Sequence, residues 1–345
     1  MARRLLWASL AIAPITILLD AVVHPSKVVL FLLAAVSLVP LAWLIGEATE
    51  HAGEHTGPRI GGLLNASFGN APELIIALVA IGDSLPNVVR GSLAGSVVSN
   101  ILLVLGAALV VGGNAALDRR SLLVQLSLVA AAVLVLLVPS VPGWHGDPDR
   151  HSLAVLGIVP AIVLLVVYLV MTSRGVRGTA EGHEPEPGGW SLKAAIVALS
   201  VATLATAVIS EILVHSLEAF AHAAHLSEFF IAFVIVAVVG NAAEHGGAVV
   251  IAHRGKMKLA TEIAISSSAQ VGLLVIPLVA LVSFAFANPL TLAFRPVELG
   301  AMAAAAIFVG FVIRDGRSTR REGAVLISAY AVIAVVALAV GDRGG

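Results

Sequence analysis

The chain has no cysteine among its 345 residues, which excludes disulfides and thiolate metal sites and disfavours a soft-metal centre. Charge is scarce too. Asp, Glu, Lys and Arg make up 12% of the residues, against roughly 25% in a soluble domain. There is no Gly-x-x-x-x-Gly-Lys loop to hold ATP, which argues against primary pumping. No His-Glu-x-x-His zinc motif lies within an apolar run, which argues against an intramembrane metalloenzyme. What the sequence has in quantity is apolar residues: 59% of the chain is hydrophobic and the mean hydropathy is +1.02. These residues form continuous runs of about 20, the length that crosses a bilayer as a helix. The runs do not alternate as barrel strands do. The fold class expected is an all-α polytopic membrane protein whose partner is the lipid bilayer, with no nucleic acid.

Eleven runs qualify, at 5–23, 28–45, 60–82, 90–112, 121–138, 152–171, 191–215, 228–252, 259–283, 296–313 and 324–341. The rival reading of the first run as a cleaved signal peptide is opposed by Pro14, which directly follows the small-residue pattern Ala11-Ile12-Ala13. With the N-terminus in the cytoplasm, only Lys27, Arg90, Arg150, Arg295 and Arg343 of the 20 basic residues fall on the outer side. The excess inside follows the positive-inside rule, and one span more or fewer would scramble it. The C-terminus is then outside. Residues 174–190, with several Gly and Pro and three Glu, read as a flexible linker. The expected division is an extra N-terminal helix (1–27), a five-helix repeat (28–173), the linker (174–190) and a second five-helix repeat (191–345). Five is odd, so the second repeat enters the membrane inverted, the arrangement of many secondary transporters.

The duplication is visible in residues. Gly69-Asn70-Ala71-Pro72-Glu73 recurs 171 positions later as Gly240-Asn241-Ala242-Ala243-Glu244, and Leu102-Leu103-Val104 as Leu273-Leu274-Val275. Each copy carries a carboxylate inside an apolar run, where it is costly and marks a working interior. Asn70 shares a helix face with Glu73, and Asn241 with Glu244. Pro72 and the preceding glycines favour a disturbed turn whose freed carbonyls can line a cavity. Two carboxylates, two amides and a few carbonyls make an all-oxygen site suited to a hard cation, and calcium tolerates its irregular geometry better than magnesium. Glu73, Glu244, Asn70 and Asn241 are therefore the expected cation ligands. Two like charges in a low dielectric take up protons when no cation is bound. Cation and protons then compete for the same oxygens, which suffices in principle for antiport. A passive cation channel using the same acids is the rival class.

The following helix of each copy carries Ser96, Ser99 and Asn100, or Ser267 and Gln270. The serines also suit plain interhelical packing; the larger amides are better placed to support the glutamates. Glu47, Glu50, Glu211 and Glu218 close span ends, with Glu50 and Glu218 the candidate acids of two opposite mouths, although solvated helix ends are the simpler reading. His245, next to Glu244, is a candidate proton participant. His215, His222 and His225 are expected outside the membrane, with a spacing unspecific for a metal.

On these motifs, together with Gly61-Gly62-Leu63-Leu64-Asn65-Ala66-Ser67-Phe68 before the first, Gly95-Ser96-Val97-Val98-Ser99-Asn100, and Ser266-Ser267-Ser268-Ala269-Gln270, the sequence resembles the calcium/proton exchangers, a branch of the cation/calcium exchanger superfamily. Thr49-Glu50 and Leu217-Glu218 resemble the paired upstream acids of that family. The resemblance implies eleven helices, with the first outside two inverted repeats. It implies that Glu73 and Glu244 bind cation and proton with help from Asn70 and Asn241, in a cavity lined by the serines, Asn100 and Gln270. Calcium would be the substrate exchanged for protons, without a cofactor, in the inner (plasma) membrane of a bacterium or archaeon. Asparagines replace the Gly-Thr-Ser motifs of the sodium/calcium branch. Some relatives exchange sodium or potassium for protons, which keeps a Na+(K+)/H+ antiporter as the alternative. With only Glu181, Glu184 and Glu186, the linker is a poor match to a long acidic regulatory helix.

Overall fold

The computed structural model describes residues 2–178 and 189–342. Among them, nine helices are long and apolar enough to cross a membrane, and ten when a pair bent by 57° is taken as one span. Counting also the shorter α3, which falls below that length, the helices in chain order are α1 (Leu5–Val23), α2 (Lys27–Phe68), α3 (Ala71–Gly82), α4 (Pro86–Gly112), α5 (Arg119–Gly143) and α6 (His151–Gly178). Then come α7 (Leu192–Ala224), the bent pair α8 (Glu228–Gly240) and α9 (Ala242–His253), α10 (Met257–Ala285), α11 (Pro296–Asp315) and α12 (Arg320–Val340). Two strands that the apolar pattern does not announce, β1 (Ala115–Ala116) and β2 (Arg317–Ser318), pair antiparallel and join the α4–α5 and α11–α12 connections.

The 42 residues of α2 form one helical run, but not a straight one. A Cβ on Gly61 would stand 3.0 Å from the Cα of Gly53. A straight helix would hold these positions about 12 Å apart. The run therefore doubles back between them, with two glycines permitting the contact. Its first limb continues to Thr56, so Glu47 and Glu50 lie within a helix rather than at the end expected near residue 45. The second limb meets α3 at Asn70.

α6 continues to Gly178 and so runs into the stretch 174–190 expected as a linker. Glu181, Glu184 and Glu186 lie outside the described residues. Where the chain resumes it is fastened: the Trp190 ring stacks on His51 with centroids 5.1 Å apart, and its carbonyl is 2.7 Å from His55 Nε2. α7 runs nine residues past the expected end at 215. It stops only where His225 takes up a left-handed conformation, φ 54°. His215 and His222 are therefore helical.

Element boundaries recur at the spacing seen in the sequence. α3 and α9 begin 171 residues apart and end 171 apart, and so do the starts of α4 and α10. π-helical turns interrupt both of these last helices, at Asn100–Val104 and Val271–Val275, again at the same offset. The breaks match in conformation: φ −100° and ψ 15° at Asn70, φ −92° and ψ 11° at Asn241. The second break has Ala243 where the first has Pro72. Proline is thus not the shared cause. It occupies the first turn of α3, where its missing N–H costs nothing. The Ser268 hydroxyl donates to the Val97 carbonyl at 2.9 Å. These two positions are themselves 171 apart, so the copies touch at equivalent points.

α8 is packed closely onto α4. A Cβ on Gly95 would fall 1.9 Å from the Phe233 carbonyl oxygen, and one on Gly91 would fall 3.2 Å from the Phe229 ring. This is close helix approach at small residues four apart. The equivalent positions in the second copy are Glu262 and Ser266, which admit no such approach. Beside the glycines the wholly buried Arg90 ties three segments together. Its Nη1 donates to Asp149 Oδ1 at 2.7 Å and to Thr291 Oγ1 at 2.8 Å, and its Nη2 to Asn87 Oδ1 at 2.8 Å. On the same face the Arg295 guanidinium sits 3.5 Å over the Phe229 ring, and the Asp342 carboxylate accepts from the backbone N–H of Phe229 at 2.8 Å.

Candidate cation site

The two helix breaks carry the site. Each presents an asparagine, and each following helix places a glutamate in its first turn. Glu73 is 6% exposed and Asn70 2%. The aliphatic part of Glu73 reaches to within 3.4 Å of where a Gly240 Cβ would stand, so the absence of a side chain there lets the first carboxylate pack against the second break. Glu244 follows one turn after Gly240, in the first turn of α9.

A hydrogen-bonded chain crosses between the copies. Asn70 Nδ2 donates to Gln270 Oε1 at 2.8 Å. Asn241 Nδ2 donates to Ser96 Oγ at 2.8 Å and to the Ala237 carbonyl at 2.9 Å. Asn100 Nδ2 donates to Ser267 Oγ at 2.8 Å and to Asn241 Oδ1 at 3.2 Å. The Ser267 hydroxyl in turn donates to Glu244. His245 Nε2 is 2.9 Å from Asn100 Oδ1. Because Asn100 spends its amide as a donor twice, its carbonyl oxygen must accept, which fixes His245 as the donor and Nε2 as the protonated nitrogen.

Three oxygens stand outside this chain: Asn70 Oδ1 and both carboxylate oxygens of Glu73 are buried without a hydrogen-bond partner. Native interiors leave few such atoms, and each calls for an explanation. A cation is one, since a hard divalent ion takes carboxylate and amide oxygens as ligands. With donors turned onto one another and acceptors left over, the site's chemistry is that of an oxygen cage.

Of the residues expected from the sequence, Glu73, Asn70, Glu244, Asn241, Ser96, Asn100, Ser267, Gln270 and His245 all join this cluster. Ser99 does not. It is fully buried and its hydroxyl donates at 3.2 Å to the Ser96 carbonyl of its own helix. Glu50 and Glu218 are exposed and lie outside the cluster. Nor do the histidines of α7 form a metal cluster: His215 pairs with Asp83 at 3.2 Å, and no group of three His, Cys, Asp or Glu side chains placed to hold a metal forms among the described residues. A row missed in the sequence is Thr203, Thr206 and Ser210 on α7, whose hydroxyl oxygens are buried without partners. Their spacing of three and four places them on one helix face, and that pattern was the available signal.

The copies are not equally enclosed. Seven residues of α3 are buried, Glu73 among them, whereas α9 buries only Ala248 and Ala252, and Glu244 is half-buried.

The chain is 38% identical over 331 residues to the Ca(2+)/H(+) antiporter ChaA of Bacillus subtilis (strain 168), covering 92% of this chain and 94% of that protein. It is 33% identical over 335 residues to the Ca(2+)/H(+) antiporter of Aphanothece halophytica, covering 90% of each. The structure of native YfkE superposes with a TM-score of 0.84 at 34% identity, over 97% of this chain and 99% of that one. The H+/Ca2+ exchanger CAX shares the fold, with a TM-score of 0.75 at 17% identity, over 98% of this chain and 92% of that one. The family described as sodium/calcium exchanger protein matches residues 26–174 and 194–339, and the chain belongs to it.

Proposed function

We propose that this protein is a secondary antiporter that exchanges Ca2+ for H+ by alternating access, with eleven spans arranged as one extra helix and two inverted repeats. The eleventh span is the second limb of α2 continued by α3, the counterpart of the bent pair α8–α9. The observation that carries the function is the group of three unpartnered buried oxygens on Asn70 and Glu73, set against Glu244 across the two breaks. A cation held there is neutralised by two carboxylates. When it leaves, repulsion between them is relieved by protons. One site thus serves both ions in turn. The similarity to Ca2+/H+ antiporters supports calcium as the cation.

The two halves of the site also suggest a state. With the N-terminus in the cytoplasm, α9 lies in the cytoplasmic half of the membrane and α3 in the outer half. The open flank of α9 and the enclosure of α3 then describe a cytoplasm-facing conformation. The outer side is closed by the glycine contacts of α4 with α8 and by the Arg90 clamp.

The test uses proteoliposomes with an imposed pH gradient and an internal pH dye. Calcium is added, then manganese, magnesium, sodium and potassium in turn. Calcium-evoked collapse of the gradient, absent in Glu73→Gln and Glu244→Gln, is the expected result. A response to sodium or potassium alone would keep the mechanism and change the substrate. Cation flux with no proton movement would favour a channel.

A further inference from the structure

Six arginines lie around two connections. Arg119 and Arg120 begin α5, Arg314 lies at the end of α11, Arg317 between α11 and α12, and Arg320 and Arg321 begin α12; all six are exposed. The β1–β2 pair draws the two connections together. Leu117 N donates to the Gly316 carbonyl at 2.9 Å, and the Ser318 hydroxyl donates to the Gly113 carbonyl at 2.8 Å. A Cβ on Gly316 would stand 3.6 Å from that of Arg119, and one on Gly113 would stand 3.4 Å from Arg320 Nε, so both pairs flank the same small sheet.

Three acids, Asp118, Asp315 and Glu322, stand among the six arginines, so the patch keeps an excess of positive charge. Asp118 accepts from the Ser121 N–H, Asp315 from the Arg317 N–H and Glu322 from the Thr319 hydroxyl. Among the described residues none of the six arginines lies within ion-pair distance of a carboxylate. Guanidinium groups bind carboxylate and phosphate oxygens bidentately.

Two hollows open at this patch. One, of about 620 Å³, is lined by Gly112, Gly113, Asn114, Thr319, Arg320 and Arg321. The other, of about 560 Å³, is lined by Arg119 and Arg120 and then, further along the same helix, by Leu123, Val124 and Ser127. The second hollow is lined by two arginines at the start of α5 and by the largely apolar residues one to two turns further along that helix. Close by, Arg314 lies 4.2 Å over the ring of the exposed Phe311, the pairing of cation and aromatic ring common at the membrane–water boundary. A free phosphate or nucleotide would use the arginines and leave the apolar wall without purpose. An amphiphile uses both.

We propose that this face binds an anionic phospholipid of the cytoplasmic leaflet, with its phosphate on Arg119, Arg120, Arg320 and Arg321 and its acyl chains along Leu123 and Val124. Such a lipid spans the β1–β2 junction and so braces the first half of the chain against the second. The site does not depend on which ion is exchanged.

The experiment measures the thermal unfolding midpoint of the full chain in detergent with added phosphatidylglycerol, phosphatidylcholine or inorganic phosphate. Retained lipid is counted by native mass spectrometry. Phosphatidylglycerol should raise the midpoint and remain bound, while phosphatidylcholine and inorganic phosphate should do neither. Arg119→Gln with Arg120→Gln, or Arg320→Gln with Arg321→Gln, should weaken phosphatidylglycerol binding at least tenfold. If removal of inside charge prevents membrane insertion, the lysine replacements keep the charge and lose the bidentate contact, so partial weakening is expected. Equal shifts with both lipids, a phosphate shift equal to that of phosphatidylglycerol, or full binding by the variants would overturn the proposal.

Discussion

Removing Asp149 isolates the Arg90 clamp. The side chain of Arg90 is 0% exposed and that of its partner Asp149 38%. In Asp149→Ala the guanidinium keeps Asn87 and the Thr291 hydroxyl but loses its nearest anion. Taking one partner from a buried ion pair costs about 3–5 kcal/mol. Solvent around Asp149 screens part of the attraction, which places the expected cost near the lower end, about 3 kcal/mol. If the clamp forms only in the proposed state closed on the outer side, that loss shifts the balance of states by about 100-fold. The assay exploits the absence of cysteine. A single Ala80→Cys on α3, where Ala80 is 0% exposed, reports the outer half of the site without background. An impermeant maleimide added outside should leave it unreacted in the otherwise native chain and label it at least tenfold faster with Asp149→Ala. The pair Arg90→Met with Asp149→Leu leaves no buried charge unpaired and should recover most of the lost stability. A labelling rate unchanged by Asp149→Ala, together with a stability loss under about 0.5 kcal/mol, would refute the reasoning.

Other outcomes follow from the same contacts. Gly95→Ala places a Cβ 1.9 Å from the Phe233 carbonyl oxygen, and the shift it forces should cost about 1–3 kcal/mol in a denaturation series; the equivalent Ser266→Ala should stay within about 0.5 kcal/mol. Asn100→Leu strips partners from His245, Asn241 and Ser267 together, and calcium affinity measured by titration should fall at least tenfold. Gly53→Val should disrupt the doubling back of α2, read as loss of correctly inserted protein on membrane extraction, because even a Cβ at Gly53 would stand 3.2 Å from the Gly61 Cα, closer than ordinary van der Waals contact.

The site was legible where its chemistry is local. An asparagine and a glutamate three residues apart, repeated at an offset of 171, are visible in the sequence, and the structure gathers them. What the sequence concealed depends on partners far along the chain. Arg90 reads as one of five outer basic residues, and its clamp rests on Asp149 and Thr291, 59 and 201 positions away. The extent of α7 was hidden because Glu211, His215 and Glu218 look like a helix end yet occupy its exposed faces. Of the two readings open for Ser99, packing fits its geometry: its hydroxyl is satisfied by the Ser96 carbonyl one turn back, which no side-chain pattern reveals. Nor did Pro72 cause the break as its chemistry suggests, since Asn241 breaks its helix beside an alanine. The doubling back of α2 leaves only a faint trace, the glycines at 53 and 61.

The central claim is that cation and proton compete for the carboxylates of Glu73 and Glu244. Its most direct test is a proton count on purified protein in weakly buffered detergent solution, with calcium added and released protons followed by a pH dye. Metal binding at protonated ligands must release protons, so calcium should liberate up to two per ion bound. Its apparent affinity should weaken as the solution is acidified, by about tenfold per pH unit for each proton displaced. Glu73→Gln and Glu244→Gln should each abolish or sharply reduce the release. Calcium binding with no proton release, at an affinity independent of pH, would contradict the account.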